Sequence, residues 1–335
     1  MAKIVLGIGT SHGPMLNTPA HEWGQRVLAD RQNKALHFRG KTYDFEELLA
    51  LRQPGFASQL QPSAQQAALE RTQAAIRRLA ATFEEARIDL AIICGNDQNE
   101  LFLQDNNPAL AVFYGSEILN APRTEAQRSM LPPGIAIAEL GHSPPEPLLY
   151  PGAPEFGEHL VSCLIERDFD VAASTSLPVG SPSRNGIPHA FGFPYRQIMR
   201  DRPPPSVPVF LNAFFPPNQP TSARSLAVGR AILEAVESWP GDERVALIGS
   251  GGLSHFVVDE ELDALVLGAM QSRDETLLAS LPNSALQSGS GEIKNWFPVS
   301  AAMNQVGLQM EVVDYVPFYR SHAGTGSGMG FALWQ

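Results

Sequence analysis

Near its start the sequence reads IVLGIGTSHGP over residues 4–14, an apolar run that ends in a polar loop. The run predicts a buried strand over residues 3–9, and His12 follows that strand directly. A second pattern of this kind lies late in the chain, where VALI at 245–248 precedes GSGGLSH at 249–255. Apolar strands that end in glycine-rich loops with a polar tip are how α/β enzymes present catalytic groups. The two stretches therefore predict an α/β fold that carries His12 and His255 at strand ends.

A third stretch, GEIKNW at 291–296, places a carboxylate on another element. Glu292 falls in the first turn of a helix predicted over 291–306, where a negative charge is electrostatically favoured even without a function. Trp296, four residues on, lies on the same face of that helix. Two strand-end histidines and a carboxylate on three separate elements indicate a metal site or an acid/base site.

Strands alternate with helices along the rest of the chain, which predicts a central mixed sheet covered by helices on both faces. We expect one large domain over residues 1–335, with 19–57 as an inserted flap that contains a short helix near Asp44–Arg52. The glycine-rich and then apolar tail, 319–334, predicts an edge strand. The other predicted strands are 90–94, 109–114, 170–174, 207–215, 244–249 and 310–315, and the other predicted helices are 62–87, 155–167, 221–238 and 259–271.

Charge and composition exclude several classes of protein. The net charge of −11 argues against a nucleic-acid surface, which needs a basic stripe. With two cysteines, Cys94 and Cys163, the sequence excludes a zinc site of the Cys-x-x-Cys kind. No apolar run approaches the roughly 20 residues of a membrane helix, and the start is too short for a signal peptide. We expect a cytoplasmic protein.

Each histidine also has a purely structural interpretation. His12 and His255 could be held by backbone hydrogen bonds in their loops, and a histidine among aromatic residues, such as His189 within IPHAFGFPY at 187–195, is often a satisfied core residue. The functional interpretation makes His12 a metal ligand, His255 a general acid or base, and His189 a group that contacts a phenolic oxygen in an aromatic pocket.

Taken together, these segments resemble the class III extradiol ring-cleaving dioxygenases, the family of the protocatechuate 4,5-dioxygenase β subunits. The segments in common are SHGPML at 11–16, NDQNELF at 96–102, the region of His189, GSGGLSHF at 249–256, and Glu292 with Trp296, in the family's order. The chain length and the 19–57 insert look most similar to the 3-O-methylgallate and gallate branch.

The resemblance implies that His12 and Glu292 bind iron(II), that His255 is the acid/base, and that His189 contacts substrate. It also implies an aromatic diol and O2 as substrates, a homodimer, and flat pocket walls from Phe191, Tyr195 and Trp296, together with Phe193.

One position departs from the family's pattern, because Asp97-Gln98 stands where an Asp-His pair is usual. Gln98 could ligate in place of the histidine, although an amide oxygen is a harder ligand than imidazole. His37 or His21 of the insert could instead supply the third ligand. The remaining interpretations are a metal-poor partner subunit and a metal-dependent hydrolase. Since the other site residues are present, the accounts in which Gln98, or His37 or His21, supplies the third ligand are favoured. Candidates to bind a substrate carboxylate are Arg39, Arg184 and Arg196.

Overall fold

The computed structural model describes residues 1–52, 55–178 and 185–335. The strands in these residues are β1 Lys3–Thr10, β2 Leu36–Phe38, β3 Lys41–Tyr43, β4 Leu90–Gly95, β5 Leu110–Phe113, β6 Glu117–Asn120, β7 Leu148–Pro151, β8 Ala172–Ser174, β9 Ser206–Leu211, β10 Arg244–Ser250, β11 His255–Val257, β12 Met310–Tyr319 and β13 Thr325–Trp334.

The helices in the described residues are α1 Gly24–Gln32, α2 Phe45–Arg52, α3 Pro62–Glu85, α4 Glu125–Ser129, α5 Pro154–Glu166, α6 His189–Phe193, α7 Ser222–Ser238, α8 Glu260–Gln271, α9 Glu275–Ser280 and α10 Phe297–Val306. Of these, α2, α3, α5, α7 and α8 agree closely with the sequence prediction, whereas α1, α4, α6 and α9 were not predicted. The predicted helix over 291–306 is divided, since Ser288–Asn295 forms a 3-10 helix before α10 begins. Glu292 therefore lies in the 3-10 helix and not in the first turn of an α-helix.

Nine of the described strands form one mixed sheet in the order β11-β13-β1-β10-β4-β9-β5-β8, with β12 paired to β13. Strands β1, β10, β4 and β9 run parallel, whereas β13 is antiparallel to β1, β11 and β12. The prediction that the tail is an edge strand is wrong. β13 is an interior strand, because β12 pairs along its whole length while β1 and β11 occupy its other side.

Helices cover both faces of the sheet, which confirms the predicted fold class. Successive residues of β4 face opposite sides of the sheet, and each side carries its own apolar cluster. The residues of β4 are all buried, and Leu90, Ile92 and Cys94 face one apolar cluster while Ala91 and Ile93 face the other. The first cluster is filled by α5, α7, α8 and α10, and the second by α3. The described helices include none that is both long and apolar enough to cross a membrane.

The segment 19–57 contains more regular structure than the sequence suggests. The short helix expected near Asp44–Arg52 is α2, and it is preceded by α1 and by the β2–β3 hairpin. Helix α1 could not be predicted from apolar periodicity because its sequence, GQRVLADRQ, is mostly polar.

A candidate metal centre at the carboxyl edge of the sheet

Three parallel strands end side by side and carry polar residues just beyond their last pairing. β1 leads to His12, β10 leads to the loop before His255, and β4 leads to Asn96. The 3-10 helix then brings Glu292 over this edge. His12 Nε2 lies 3.2 Å from Glu292 Oε2, and His255 Nε2 lies 3.5 Å from the same oxygen. The structure thus brings residues 12, 255 and 292 into one site.

The carboxylate of Glu292 is fully buried and surrounded by donors. Its Oε1 accepts hydrogen bonds from the amides of Asn96, at 3.0 Å, and Gln98, at 2.6 Å. Its Oε2 accepts from the backbone N–H of Gly252 at 3.1 Å. Burial alone would raise the pKa of Glu292, but the neighbouring imidazoles of His12 and His255 hold it well below its usual range. Glu292 is therefore an anion at neutral pH.

His12 is held in one tautomer by Ser250. The hydroxyl of Ser250 donates to the Ala190 carbonyl, so its oxygen is left to accept from Nδ1–H of His12 at 3.0 Å. Burial lowers the pKa of His12, in spite of the opposing effect of Glu292. A neutral His12 therefore directs the lone pair of Nε2 at an anionic carboxylate oxygen. Two acceptors at 3.2 Å in a buried site repel each other unless a cation lies between them.

His255 is oriented by one hydrogen bond from its ring and one from its backbone. Nδ1–H donates to the Leu253 carbonyl at 2.9 Å, and the backbone N–H donates to Ser290 Oγ at 3.1 Å. Burial opposes ionisation, but the negative charge of Glu292 outweighs it and raises the pKa of His255 above its ordinary value. His255 can therefore hold a proton at Nε2 close to the carboxylate.

His189 joins the site from α6. The ligand atoms of His12, His189 and Glu292 all lie within 4.8 Å of one another, and no other such group of three occurs in the described residues. The rings of His12 and His189 are nearly perpendicular, with centroids 4.8 Å apart. The position of α6 is set by Phe191, which packs so closely on Gly95 that a Cβ there would lie 3.1 Å from its ring.

Two buried carboxylates to which the sequence analysis assigned no role, Asp97 and Glu100, organise the loop after β4. Asp97 accepts the backbone N–H groups of Glu100, Leu101 and Phe102, which fixes the turn that presents Gln98. Burial and the charge of Glu100 raise the pKa of Asp97 to about 7. The carboxylate of Glu100 in turn accepts hydrogen bonds from the backbone N–H and from Nδ1 of His189. A Glu three residues after an Asp is not a sequence pattern that would indicate these roles.

The loop before His255 is anchored by a second cluster without a sequence signature. Asp263 of α8 accepts from the backbone N–H and the hydroxyl of Ser254, at 2.8 and 2.7 Å, and from the hydroxyl of Tyr315 at 2.7 Å. These bonds fix the residue before His255 and so restrict where the imidazole can lie.

The aromatic residues expected to line a pocket are all fully buried. Trp296 packs on Gly9, where a Cβ would lie 2.6 Å from the indole, and its Nε1 donates to the Gly251 carbonyl. Tyr195 bonds Ser206, the first residue of β9, at the opposite edge of the sheet. Contact of Phe191, Tyr195 or Trp296 with substrate stays a prediction.

His21 and His37, the alternative metal ligands from the insert, do not belong to the group formed by His12, His189 and Glu292. The side chain of His21 is 80% exposed and faces Glu22, and His37 faces Thr42 within the β2–β3 hairpin. Among the candidate arginines, Arg39 pairs with two carboxylates, Asp259 and Glu261.

Arg196 is likewise paired with a carboxylate, that of Asp201, and Arg184 lies outside the described residues. A buried cation that the sequence analysis did not consider is Arg123, whose guanidinium lies 3.7 Å from Glu100. A cavity of about 610 Å³ lies at the amino edge of β4 and β9, lined by Arg87 and Arg202 among others, and contains none of the site residues.

The donor set fits a divalent metal of the first transition row. Two imidazoles and one carboxylate on one side are the ligands of the facial triad that binds iron(II) in non-haem oxygenases. Neighbouring ligand atoms in such a site, with bonds of about 2.1 Å at right angles, lie roughly 3 Å apart. The 3.2 Å between His12 Nε2 and Glu292 Oε2 matches that spacing.

Residues 135–314, a little more than half of the chain, match the family model described as the catalytic LigB subunit of aromatic ring-opening dioxygenase. The chain belongs to this family. The LigB match includes His189, His255, Glu292 and Trp296, while His12 and the loop after β4 lie before it. The resemblance drawn from the sequence to the class III extradiol dioxygenases is therefore confirmed at the level of the family.

Several curated proteins are similar to parts of the chain. A 2,3-dihydroxyphenylpropionate/2,3-dihydroxicinnamic acid 1,2-dioxygenase of Comamonas testosteroni is 33% identical over 153 residues, which are 44% of this chain and 43% of the relative. A protein of the same name from Mycobacterium sp. (strain MCS) is 29% identical over 134 residues, 37% of this chain and 39% of the relative. The chain thus spans less than half the length of these relatives.

A solved structure of an uncharacterized protein from Escherichia coli K12 also aligns with the chain. It has 13% sequence identity and a TM-score of 0.46, and the alignment covers 78% of this chain and 91% of the other.

Proposed function

We propose that this protein is an iron(II)-dependent extradiol dioxygenase, which inserts O2 to cleave the ring of a catechol- or gallate-type substrate such as 3-O-methylgallate. The observation that carries the proposal is the buried pair of His12 Nε2 and Glu292 Oε2, two acceptors 3.2 Å apart with His255 beside them. Family membership supports ring opening as the reaction.

His12 and Glu292 would hold the metal, and the bound iron(II) would supply a Lewis-acidic, redox-active centre at which the diol and O2 react. Asn96 and Gln98 keep Glu292 in place by binding its other oxygen. The carboxylate is therefore oriented before a metal binds, which reduces the cost of assembling the site.

His255 would move the protons of the reaction. The carbonyl of Leu253 fixes the hydrogen on Nδ1, so Nε2 is the atom that accepts a phenolic proton and later returns it. In the metal-free protein the charge of Glu292 raises the pKa of His255, which favours a proton on this imidazole. We therefore expect turnover to fall at low pH, where His255 is protonated before substrate binds.

Substrate would reach the site on the side of His189 and His255, whose side chains are 19% and 13% exposed, whereas those of His12 and Glu292 are closed to solvent. An aromatic face lies there too, because the ring of His255 contacts Phe256 and Phe256 contacts Phe214. The names of the relatives refer to rings with adjacent hydroxyl groups, which supports an aromatic diol as the substrate class.

The test is O2 uptake by protein loaded with iron(II) under anaerobic conditions, with 3-O-methylgallate, gallate and protocatechuate supplied in turn. We expect His255→Ala and Glu292→Ala to lose turnover by at least about 100-fold. His159→Gln is the matched control, because His159 bonds Ala235 and Ser238 elsewhere in the fold. Absence of O2 uptake with all three diols, or full activity in either alanine variant, contradicts the proposal.

The cytoplasmic location and the homodimer expected from the sequence belong to the same proposal. The free thiols of Cys94 and Cys163 support a reducing compartment.

A further inference from the structure

Gln98 stands where the resemblance drawn from the sequence leads us to expect a second metal-binding histidine, and the structure has another imidazole, that of His189, close to His12 and Glu292. We propose that His189 supplies the second imidazole of the metal site in place of Gln98, and that Glu100 is the positioning residue for its ring. This inference rests on the proposed function, because it assigns the ligands of the same site.

Gln98 is already engaged with the carboxylate. Its amide nitrogen donates to Glu292 Oε1 at 2.6 Å. If the amide were turned round, its oxygen would face a carboxylate oxygen at that distance. The hydrogen-bond network therefore requires that the amide nitrogen, and not the oxygen, points at Glu292. Gln98 therefore acts on the metal site through Glu292, by holding the oxygen that does not face His12.

His189 has the position and the tautomer that a ligand needs. It belongs to the group of three whose ligand atoms lie within 4.8 Å of one another. A carboxylate can only accept, so the contact between Glu100 and Nδ1 places the ring hydrogen on Nδ1 and the lone pair on Nε2. His12 has the same tautomer, fixed by Ser250.

Glu100 orients the imidazole in the manner known for metal-bound histidines, which commonly donate their second N–H to a carboxylate. It accepts the backbone N–H of His189 at 3.2 Å as well as Nδ1, so both the ring and the start of α6 are fixed. Its buried charge is compensated by Arg123 at 3.7 Å. A buried, compensated carboxylate of this kind keeps the ring from rotating.

The two imidazoles are also linked to each other. Ser250 contacts Nδ1 of His12 and donates to the carbonyl of Ala190, the residue that follows His189. One hydroxyl therefore sets the position of His12 relative to the start of α6. His255, by comparison, is bonded to the backbone of its own loop and lies outside the group of three.

The inference can be tested by counting metal-bound imidazoles in protein loaded with cobalt(II). In proton NMR each imidazole that ligates through Nε2 contributes one hyperfine-shifted, exchangeable signal from its Nδ1–H. We expect two signals in the wild type, one in His189→Ala, and two in both Gln98→Ala and His255→Ala. Equilibrium dialysis measures the affinity of each variant for cobalt(II), which should fall at least about 100-fold in His189→Ala.

Glu100→Gln preserves the shape of the pair and covers the case in which the alanine variant does not fold. It should lower the affinity about 10- to 100-fold and shift one of the two signals. Two signals in His189→Ala, or an unaltered affinity and spectrum in Glu100→Gln, would overturn the inference while leaving the dioxygenase proposal intact. A wild type that binds neither cobalt(II) nor iron(II) would overturn both.

Discussion

Replacing Asp263 with Asn should flatten the pH dependence of the stability of the metal-free protein. Asp263 is fully buried beneath the loop of His255, where it accepts three hydrogen bonds from Ser254 and Tyr315. Burial nevertheless raises its pKa from 3.8 to about 7, in spite of those bonds. The folded protein therefore prefers the protonated carboxyl group.

A group whose pKa is higher in the folded state contributes stability that is fully present below the pKa of the unfolded chain. That contribution is lost as the pH rises through the pKa of the folded state. For Asp263 the window runs from 3.8 to about 7. Integrating between pH 5 and pH 8, ionisation of this one group should lower the free energy of unfolding by about 2.5 kcal/mol. An asparagine does not titrate, so the variant should lack that decline.

Urea unfolding at pH 5 and pH 8, followed by tryptophan fluorescence, measures this difference. The variant should be less stable than the wild type at pH 5, because an amide nitrogen cannot accept from Ser254 or Tyr315. The quantity to compare is thus the change between the two pH values. Asp170→Asn, at an exposed position, controls for the loss of one negative charge. An equal decline in wild type and Asp263→Asn would refute the reasoning.

Three further outcomes are expected. Gly9→Ala should lower the free energy of unfolding by about 1–3 kcal/mol in urea, because the new Cβ would lie 2.6 Å from the ring of Trp296. Asp30→Ala should lower it by about 3–5 kcal/mol, since it leaves the buried guanidinium of Arg320 without its bidentate carboxylate at 2.7 Å. Cobalt(II) at one hundred times its Kd should stabilise the protein by about 2.7 kcal/mol, and by less at pH 5.5 than at pH 7.5 in thermal unfolding, because ligating imidazoles must be neutral.

Matched substitutions control these measurements. Gly268→Ala introduces a Cβ with nothing within 4 Å inside α8, so it should be neutral or stabilising by up to about 1 kcal/mol. Glu46→Ala removes an exposed ion pair with Arg31 and should cost less than about 1 kcal/mol. A loss in either control as large as in its counterpart would contradict the packing or charge argument. A stabilisation by cobalt(II) that is equal at pH 5.5 and pH 7.5 would contradict the argument that neutral imidazoles bind the metal.

Much of the framework could be predicted because apolar periodicity is local. The buried run at 90–94 and the long helix from Pro62 are visible in the sequence, and both have nearly the predicted bounds. The pairing of β13 was not predictable in this way. A glycine-rich apolar segment has the same pattern whether it lies at the edge of a sheet or inside it. Its neighbour β12 precedes it directly in the chain, but β1 and β11, which cover its other side, come from distant parts of the chain.

The sequence by itself determined the alternation of strands and helices, and it placed His12 and His255 beyond apolar strands and Glu292 on a third element. Only the tertiary structure decided which groups share the site. It brought Glu100 against His189, committed Gln98 to Glu292, and enclosed Phe191 and Tyr195 in the core. The physical reason is that strand and helix formation depends on neighbours in sequence, whereas hydrogen-bond partners and burial depend on contacts between residues as far apart as 98 and 292.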